Sequence, residues 1–315
     1  MAQAKGISAQ ILIDWETVFA TDPGTPAAFK MPVNPPIGIA ADRNMTTPET
    51  IRGIRSPAAP SHGNTDVRGP ITIPIDQIAI GYWLRALLGV PATTGSDPFT
   101  HIYTVPTSIE SMVIDFGFTD IVQYLKYNGV KLDGFGISIG GDGELTATLD
   151  LIGAKMTGSA VVYDAAPTEP TFTRFNQFQA TLNEGGASIA YVKTVDLNIR
   201  NNLEPDSFVI GGGGIRGDLP EGFCTIEGTL TAFFQDLALL TKAIDTTESS
   251  LEAIFTSGTK TLTFKISELD YKLTAPTVES QGGVDVALSF SGYYQDDADE
   301  SAVKVTLVNG HTSYA

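Results

Sequence analysis

The chain has 315 residues and a formal net charge of −17, a length sufficient for about two domains of ordinary size. The acidic charge argues against a nucleic-acid binder, because DNA binding draws on basic groups that displace counterions. One cysteine excludes a disulfide framework, and three dispersed histidines, His62, His101 and His311, argue against a zinc site.

The chain opens without an apolar stretch of signal-peptide length, and no run of 18 apolar residues follows. We therefore expect a protein with no membrane segment that is made in the cytoplasm. Charged residues make up 17% of the chain, below the roughly 25% of an average domain. This low charge density predicts that much of the surface contacts other protein.

Two stretches of the chain follow the same order of landmarks. In the first, Arg43–Met45 precedes a long Pro- and Gly-rich stretch, a strand through Gly69 and an amphipathic helix. In the second, Asn201–Leu203 precedes a Gly-rich stretch, a strand through Gly228 and a shorter helix. The Asn-to-Gly spacing is 25 residues in the first and 26 in the second. The agreement favours an internal duplication.

The helix of each copy has a recognisable start. Asp76 is suited to cap the first helix, and Gly89 is suited to end it before Pro91. Its apolar stripe comprises Ile80, Trp83, Leu84, Leu87 and Leu88. For the second helix, which follows Asp236, the expected apolar face comprises Leu237, Leu240 and Ile244.

A pair of strands follows each helix. Residues 144–153 and 284–292 alternate apolar and polar side chains, which is typical of strands with one buried and one solvated face. They are preceded by strand-like segments at Gly129–Asp133 and Ser267–Tyr271, with Gly-rich turns between, so antiparallel hairpins are expected. Cys224 shares the apolar parity of its strand and is expected in the core.

These patterns predict two tandem units, residues 1–165 and 166–315, because periodicity is lost and prolines gather near residue 165. A chance order of strands in a β-rich chain is the alternative. Each unit contains a long break, Thr46–Asn64 or Glu204–Gly222, and loops of that length within compact domains are commonly functional.

No enzyme chemistry is indicated, and no cofactor is expected. Gly211–Gly214 lacks the Lys-Ser/Thr sequence of a phosphate-binding loop. The acidic run Asp296–Glu300 fits a solvated loop better than a cation site. No nucleophile stands in a recognisable elbow sequence.

Five segments together resemble the tail tube, or major tail, proteins of long, non-contractile-tailed bacteriophages. They are Trp15–Thr21, Gly63–Gly69, Pro98–Thr104, Tyr127–Asp133 and Ala302–Asn309. The resemblance implies a mainly β fold of two tandem antiparallel β-sandwich or barrel units, each with a flanking helix. It also implies a virion protein that stacks as rings into a hollow tube, with tape measure, tail terminator and distal tail proteins as partners and DNA passing without specific binding.

Two groups of residues are expected to carry this function. The polar parity of the hairpin strands is predicted to face the lumen: Glu144, Thr146, Thr148, Asp150, Asp285 and Ser289. The long loops are predicted to contact the next ring: Thr46, Glu49, Arg52, Arg55, Glu204, Asp206, Arg216 and Asp218. A duplicated chain favours a ring of three chains with pseudo-sixfold symmetry over a hexamer. A two-domain β-sandwich adhesin or receptor-binding module is the alternative function.

Overall fold

The computed structural model describes residues 3–278 and 281–315. Over these residues the chain forms two α-helices and 19 strands, joined by antiparallel pairing into one large sheet. The helices are α1 (Ala79–Leu88) and α2 (Ala238–Ile244). The strands are β1 (Ala9–Trp15), β2 (Phe29–Met31), β3 (Asn34–Ile37), β4 (Ala40–Thr46), β5 (Ser61–Pro74), β6 (Ala92–Gly95), β7 (Phe99–Thr104), β8 (Met112–Phe118), β9 (Gln123–Ile139), β10 (Thr146–Gly153), β11 (Lys155–Ser159), β12 (Ala180–Glu184), β13 (Ala187–Ser188), β14 (Val192–Arg200), β15 (Thr225–Phe233), β16 (Ser249–Ser257), β17 (Lys260–Tyr271), β18 (Asp285–Tyr293) and β19 (Lys304–Asn309). The predicted mainly β class is confirmed.

The broadest part of the sheet has eight strands in the order β4, β5, β10, β9, β14, β15, β18, β17. The first four come from the N-terminal half of the chain and the last four from the C-terminal half. Strands β9 and β14 pair from Gly134 with Arg200 to Ile139 with Val195. The sheet therefore crosses from one half to the other by main-chain pairing, and one core cluster contains residues of both halves.

Two lateral branches extend this sheet. One contains β2, β1, β8, β9 and β11 in that order. The other contains β13, β12, β16, β17, β19, β7 and β6. Strands β9 and β17 are long enough to take part in both a branch and the eight-stranded sheet. Because β7 belongs to the N-terminal half, its pairing with β19 is a second main-chain link between the halves.

The predicted period-two alternation is confirmed in both hairpin strands. In β10, Ala147, Leu149 and Leu151 are at most 1% exposed, whereas Thr148 between them is exposed. In β18 the buried positions are Val286, Leu288 and Phe290. Each strand therefore gives one face to the core and the other to the surroundings.

Helix α1 forms as the sequence predicts. The buried Asp76 carboxylate accepts hydrogen bonds from the backbone N–H groups of Ala79 (2.9 Å) and Ile80 (2.8 Å), which satisfies donors that a helix start leaves free. Gly89 follows the helix with a φ of 74°. The predicted stripe is buried, and so is the rest of the helix, because strands surround it. No helix in the described residues is long and apolar enough to cross a membrane.

The predicted apolar face of α2 is wrong. Leu239 and Ala243 are the buried positions, and Leu237 and Ile244 of the predicted face are more than half exposed. Leu240, the third residue of that face, is half-buried and packs against the core. Asp236 does start the helix, since its carboxylate accepts the N–H of Ala238 at 2.8 Å. A helix of seven residues has too few apolar positions for periodicity to fix its orientation, so the strands beneath it decide which side is buried.

The chain between the halves stays attached to the N-terminal half. Asp164 accepts the N–H of Ala28, Thr168 exchanges main-chain hydrogen bonds with Ala28 and Lys30, and Gln77 donates its N–H to Thr173. Cys224 packs against the core, and burial raises the pKa of its thiol to about 11, in line with the expected structural thiol.

The C-terminus docks on the helix of the opposite half. Tyr314 is fully buried against α1, and its hydroxyl donates to the carbonyl of Ile78 at 2.9 Å. A Cβ atom on Gly81 would lie 2.2 Å from the Tyr314 ring, so a glycine is required there. The guanidinium of Arg85 donates to the Tyr314 carbonyl at 3.0 Å. The last residues of the chain thus fasten β19 to the first helix.

We predict that Tyr314→Ala lowers the free energy of unfolding by about 3 to 5 kcal/mol, because it empties a buried aromatic site. Chemical denaturation followed by circular dichroism measures the change. Tyr294→Ala is the matched control, because Tyr294 is about half exposed and its loss should change stability by about 0.5 kcal/mol or less. Equal effects of the two substitutions would contradict the docking of the C-terminus.

Candidate functional site

The polar side chains of the eight-stranded sheet form one continuous face. Of the residues predicted to line a lumen, Thr148 and Ser289 are exposed, Glu144 lies exposed just before β10, and Thr146, Asp150 and Asp285 are half-buried. All six lie on the solvated parity of the two hairpin strands. The structure therefore brings them onto one face, with the apolar parity packed behind them.

The three acids in this predicted set are all paired with basic side chains. Glu144 pairs with Arg174 at 2.8 Å, Asp150 with Arg200 at 3.1 Å, and Asp285 with Lys193 at 2.7 Å. These exposed pairs contribute little to stability, but they cancel much of the local negative charge. The acids chosen from the sequence are thus less available to repel an anion than their number indicates.

Other acids on the same face were missed. Asp196 on β14, Glu227 on β15 and Asp270 on β17 line one shallow groove together with Ser289. They are exposed and form no ion pair with a described residue. The alternation of Val195, Leu197 and Ile199 with polar residues, read as in β10, is the signal that locates Asp196.

The loop at residues 204–222, here called the second arm, reaches across to the N-terminal half. Arg216 in this arm is only 2% exposed. Its guanidinium donates to the carbonyls of Gly153 (2.7 Å) and Pro205 (2.5 Å) and forms an ion pair with Asp66. Burial alone would raise the pKa of Asp66, but hydrogen bonds from Arg216 and Arg68 lower it below its ordinary value. This side chain fastens the arm to β5 and β10, and the Thr65 N–H of β5 also donates to the Gly214 carbonyl of the arm at 2.7 Å.

A second contact holds the end of the arm. Lys131 on β9 pairs with Glu221 at 2.9 Å and donates to the carbonyl of Leu219 at 2.9 Å. Leu219 is fully buried in a small apolar cluster with Leu203 and with Ile109 and Ile152 of the N-terminal half. Both ends of the second arm therefore lie against the opposite half.

Residues 46–64, here called the first arm, comprise the end of β4, the loop at residues 47–60 and the start of β5. The loop has no such anchor in the described chain. Ile51 and Ile54 are 96% and 62% exposed, and Met45 beside it is 62% exposed. Arg52 bonds only to carbonyls of Ser56 and Pro57 within the arm, at 3.3 and 2.9 Å. This arm presents apolar side chains to solvent.

The residues predicted to contact a neighbouring ring divide into two groups. Exposed side chains belong to Thr46, Glu49, Arg52, Arg55, Glu204, Asp206 and Asp218, whereas Arg216 is buried within the chain. Sequence alone gave no sign of the burial of Arg216, because its partners Asp66 and Gly153 lie 150 and 63 residues away.

The acidic run Asp296–Glu300 and the two tryptophans make contacts within the chain. The carboxylate of Asp299, in the acidic run, binds Lys265 (2.6 Å) and Lys304 (2.7 Å). Trp83 is buried in α1, and Trp15 packs under the Arg85 guanidinium at 4.2 Å. Neither ring is therefore exposed for stacking against a sugar, as the adhesin alternative would require.

We predict that Arg216→Ala lowers the free energy of unfolding by about 2 kcal/mol, because buried carbonyls and Asp66 lose a charged donor. The second arm should also become sensitive to limited proteolysis. Arg55→Ala, on the exposed first arm, is the control and should change neither property. If the Arg216→Ala arm resists protease as the unsubstituted arm does, this anchor is not what holds it.

A search of curated proteins found no match to the chain. A family model described as phage tail tube protein matches residues 6–292. That match covers most of the chain, including both halves of the eight-stranded sheet. The chain therefore belongs to the phage tail tube protein family, whose members are non-enzymatic structural proteins of the virion tail.

Proposed function

We propose that this tube protein consists of two tandem units, residues 1–165 and 166–315, and that three chains close one ring of the tube. Self-assembly into a tube follows from the family. The division into units and the number of chains rest on the strand pairing and its register. The tape measure, tail terminator and distal tail proteins implied by the resemblance belong to the same proposal as partners.

Strand order supports the tandem units. In the eight-stranded sheet, β4, β5, β10 and β9 of the N-terminal half correspond in order to β14, β15, β18 and β17 of the C-terminal half. In the branches, β2, β1, β8, β9 and β11 correspond to β13, β12, β16, β17 and β19. Each half also has its helix after an equivalent strand, α1 after β5 and α2 after β15.

Register supports the same equivalence at the two glycines. Gly69 lies opposite Leu151, and Gly228 lies opposite Phe290. A Cβ on Gly69 would lie 2.0 Å from the carbonyl oxygen of Gly38, and one on Gly228 would lie 2.3 Å from that of Asp196. Gly38, between β3 and β4, and Asp196, on β14, occupy equivalent positions beside the two glycines. The same close approach of a neighbouring backbone carbonyl therefore requires a glycine at both places.

Three chains of two units supply the six positions that the family resemblance implies. The alternative, six chains per ring, requires the C-terminal unit to project from the wall. Its strands instead continue the eight-stranded sheet through β14, which supports placing both units in the wall. Linking two units covalently also lowers the association entropy lost per ring.

We predict that isolated rings contain three chains, because each chain carries two wall units. Mass photometry of rings released from tubes measures the number directly. Rings of six chains, or end-on averages with six identical sectors and extra lobes outside, would contradict the trimer.

The polar face of the eight-stranded sheet is the proposed lumen wall. Its free acids Asp196, Glu227 and Asp270 outnumber Lys272, the exposed cation that lines the same groove, so the face stays acidic and repels DNA. The acids Glu144, Asp150 and Asp285 on this face are paired with basic side chains. Thr146, Thr148 and Ser289 complete the face with neutral polar groups. Passage without specific binding is the expected result.

For this face we predict that tubes with Asp196→Lys and Glu227→Lys retain DNA at low salt, and that the retention falls as salt increases. Asp120→Lys with Asp245→Lys is the charge-matched control, because these acids lie in turns away from the face. Filter retention of labelled DNA by assembled tubes is the measurement. If the variant tubes retain no more DNA than the control tubes, the lumen assignment is wrong.

The exposed parts of both arms are proposed to contact the next ring. Ile210 is fully exposed and Val209 is 58% exposed at the tip of the second arm, while Ile51 and Ile54 are exposed on the first. Burying such side chains against a stacked ring would contribute about 1.5 to 3 kcal/mol each.

We predict that Val209→Asp with Ile210→Asp permits ring formation and prevents elongation of the tube. Electron microscopy is the measurement, and tubes of normal length would contradict the proposed contact between rings.

A further inference from the structure

Each end of the eight-stranded sheet has an outer edge without a partner strand among the described residues. One is the outer edge of residues 37–42, which comprise the end of β3, Gly38, Ile39 and the start of β4 and lie beside β5. The other is the outer side of residues 272–277, which follow the end of β17, form no strand of their own and begin beside β18, where the Lys272 N–H bonds to Ser289. They stand at opposite ends of the eight-stranded sheet, which is where a second copy of the chain would meet this one.

Register relates both edges to the internal junction between β9 and β14. Leu151 and Phe290 are equivalent through Gly69 and Gly228, so their partners Leu132 and Tyr271 are equivalent too. After the bulge at Asp133, Gly134–Ile139 therefore corresponds to residues 272–277. On the other side, Val195–Arg200 corresponds to residues 37–42 through their partners on β15 and β5.

Transferring the internal register gives definite pairs between two chains. Leu197 lies opposite Ile137 in the junction, which places Ile39 opposite Ala275. Ile199 lies opposite Phe135, which places Ala41 opposite Leu273. Arg200 lies opposite Gly134, which places Asp42 opposite Lys272.

Hydrogen-bond directions on the two edges agree with this register. Gly38 donates its N–H inward to Pro70, so in an extended strand Ile39 and Ala41 offer theirs outward. Lys272 donates inward to Ser289. An extended continuation of β17 from there directs the N–H groups of Leu273 and Ala275 outward and places Pro276, which has no N–H, at an inward position. Outward residues thus meet outward residues, as an antiparallel ladder requires, and a shift by one residue would lose every bond.

Two apolar side chains at the open edges are more exposed than their equivalents at the internal junction. Phe135 is 1% exposed, whereas its equivalent Leu273 is 53% exposed. Leu203, three residues beyond Arg200, is 6% exposed against the opposite half, whereas Met45, three residues beyond Asp42, is 62% exposed. Leu273 and Met45 are therefore exposed where their equivalents at the internal junction are buried, whereas Ile39, like its equivalent Leu197, is buried within the chain.

Charge is complementary across the two edges. At the internal junction Arg200 crosses to Asp150 at 3.1 Å and to Asp133 at 3.6 Å. At the open edges Asp42 takes the place of Arg200 and Lys272 takes the place of Gly134. Both are exposed, form no ion pair with a described residue and carry opposite charges.

We propose that residues 272–277 of one chain pair antiparallel with residues 37–42 of a second copy, with Ile39 opposite Ala275 and Asp42 opposite Lys272. The first arm of that second copy then lies across the C-terminal unit of the first chain, as the second arm lies across the N-terminal unit within one chain. This inference rests on the proposed tandem units and specifies the contact that joins them between chains.

The charge pair provides the first test. Asp42→Lys and Lys272→Asp should each weaken ring formation by up to about fivefold per contact, because like charges then face each other. The double variant, which restores an opposite pair at each contact, should recover ring formation. Ring yield by size-exclusion chromatography measures the effect, with circular dichroism confirming that each variant is folded. A double variant as defective as the two single variants combined would overturn the pairing.

Disulfide formation provides a test that does not depend on yield. In a Cys224→Ser background, Ala41→Cys with Leu273→Cys should link neighbouring chains on mild oxidation, since directly opposed residues lie within disulfide range. Ala41→Cys with Thr274→Cys is the register control, because those side chains point to opposite faces, and it should remain unlinked.

The size of the linked product separates this inference from the proposed function. Linked species that end at three chains support both. A ladder that ends at six chains keeps the pairing and overturns the trimer. Rings of three chains with no link at residues 41 and 273, or with equal linking of the control, overturn the pairing and keep the trimer.

Discussion

The antiparallel pairing of β9 with β14 is the interaction on which the rest of the structure depends. It joins the two halves of the chain through main-chain hydrogen bonds from Gly134 to Ile139, and it buries Ile137 and Leu197 against a shared core. Without it the chain would have four exposed strand edges in the eight-stranded sheet instead of two. An open edge is a template for pairing with another chain, so closing the internal ones leaves the two ends of this sheet as its sites for such pairing.

Other contacts between the halves reinforce that pairing. The second arm places Arg216 beside Asp66 and Gly153, β19 pairs with β7, and Tyr314 packs on α1. In the proposed ring, such a chain is a preformed pair of wall units. The proposed contact between chains then repeats a geometry that the chain already contains, which reduces the ordering required during assembly.

The sequence predicted the features that depend on local periodicity and spacing. The alternation in β10 and β18 and the cap of α1 at Asp76 follow from residues close to one another in the chain. The orientation of α2 was wrong because seven residues carry too little periodicity. The burial of Arg216 and the pairing of β7 with β19 were missed because their partners lie far away in sequence, and only the folded chain brings them together.

The lumen prediction had the same limitation. Parity identified which side chains of β10 and β18 leave the core, but not which acids are neutralised. Asp150 is paired with Arg200 and Asp285 with Lys193, whereas Asp196 and Glu227 carry free charge. The local sequence around Asp150 contains no arginine, and Arg200 reaches it only because β14 lies beside β9. The charge of the polar face is therefore a consequence of the junction between the halves.

The most direct test of the account is a residue-resolution density map of the assembled tube. It should show three chains per ring and a strand ladder continuous around the wall, with the contact between chains repeating the geometry of β9 with β14. A ring of six chains whose C-terminal halves lie outside the wall, or a wall in which residues 272–277 have no strand partner, would contradict it.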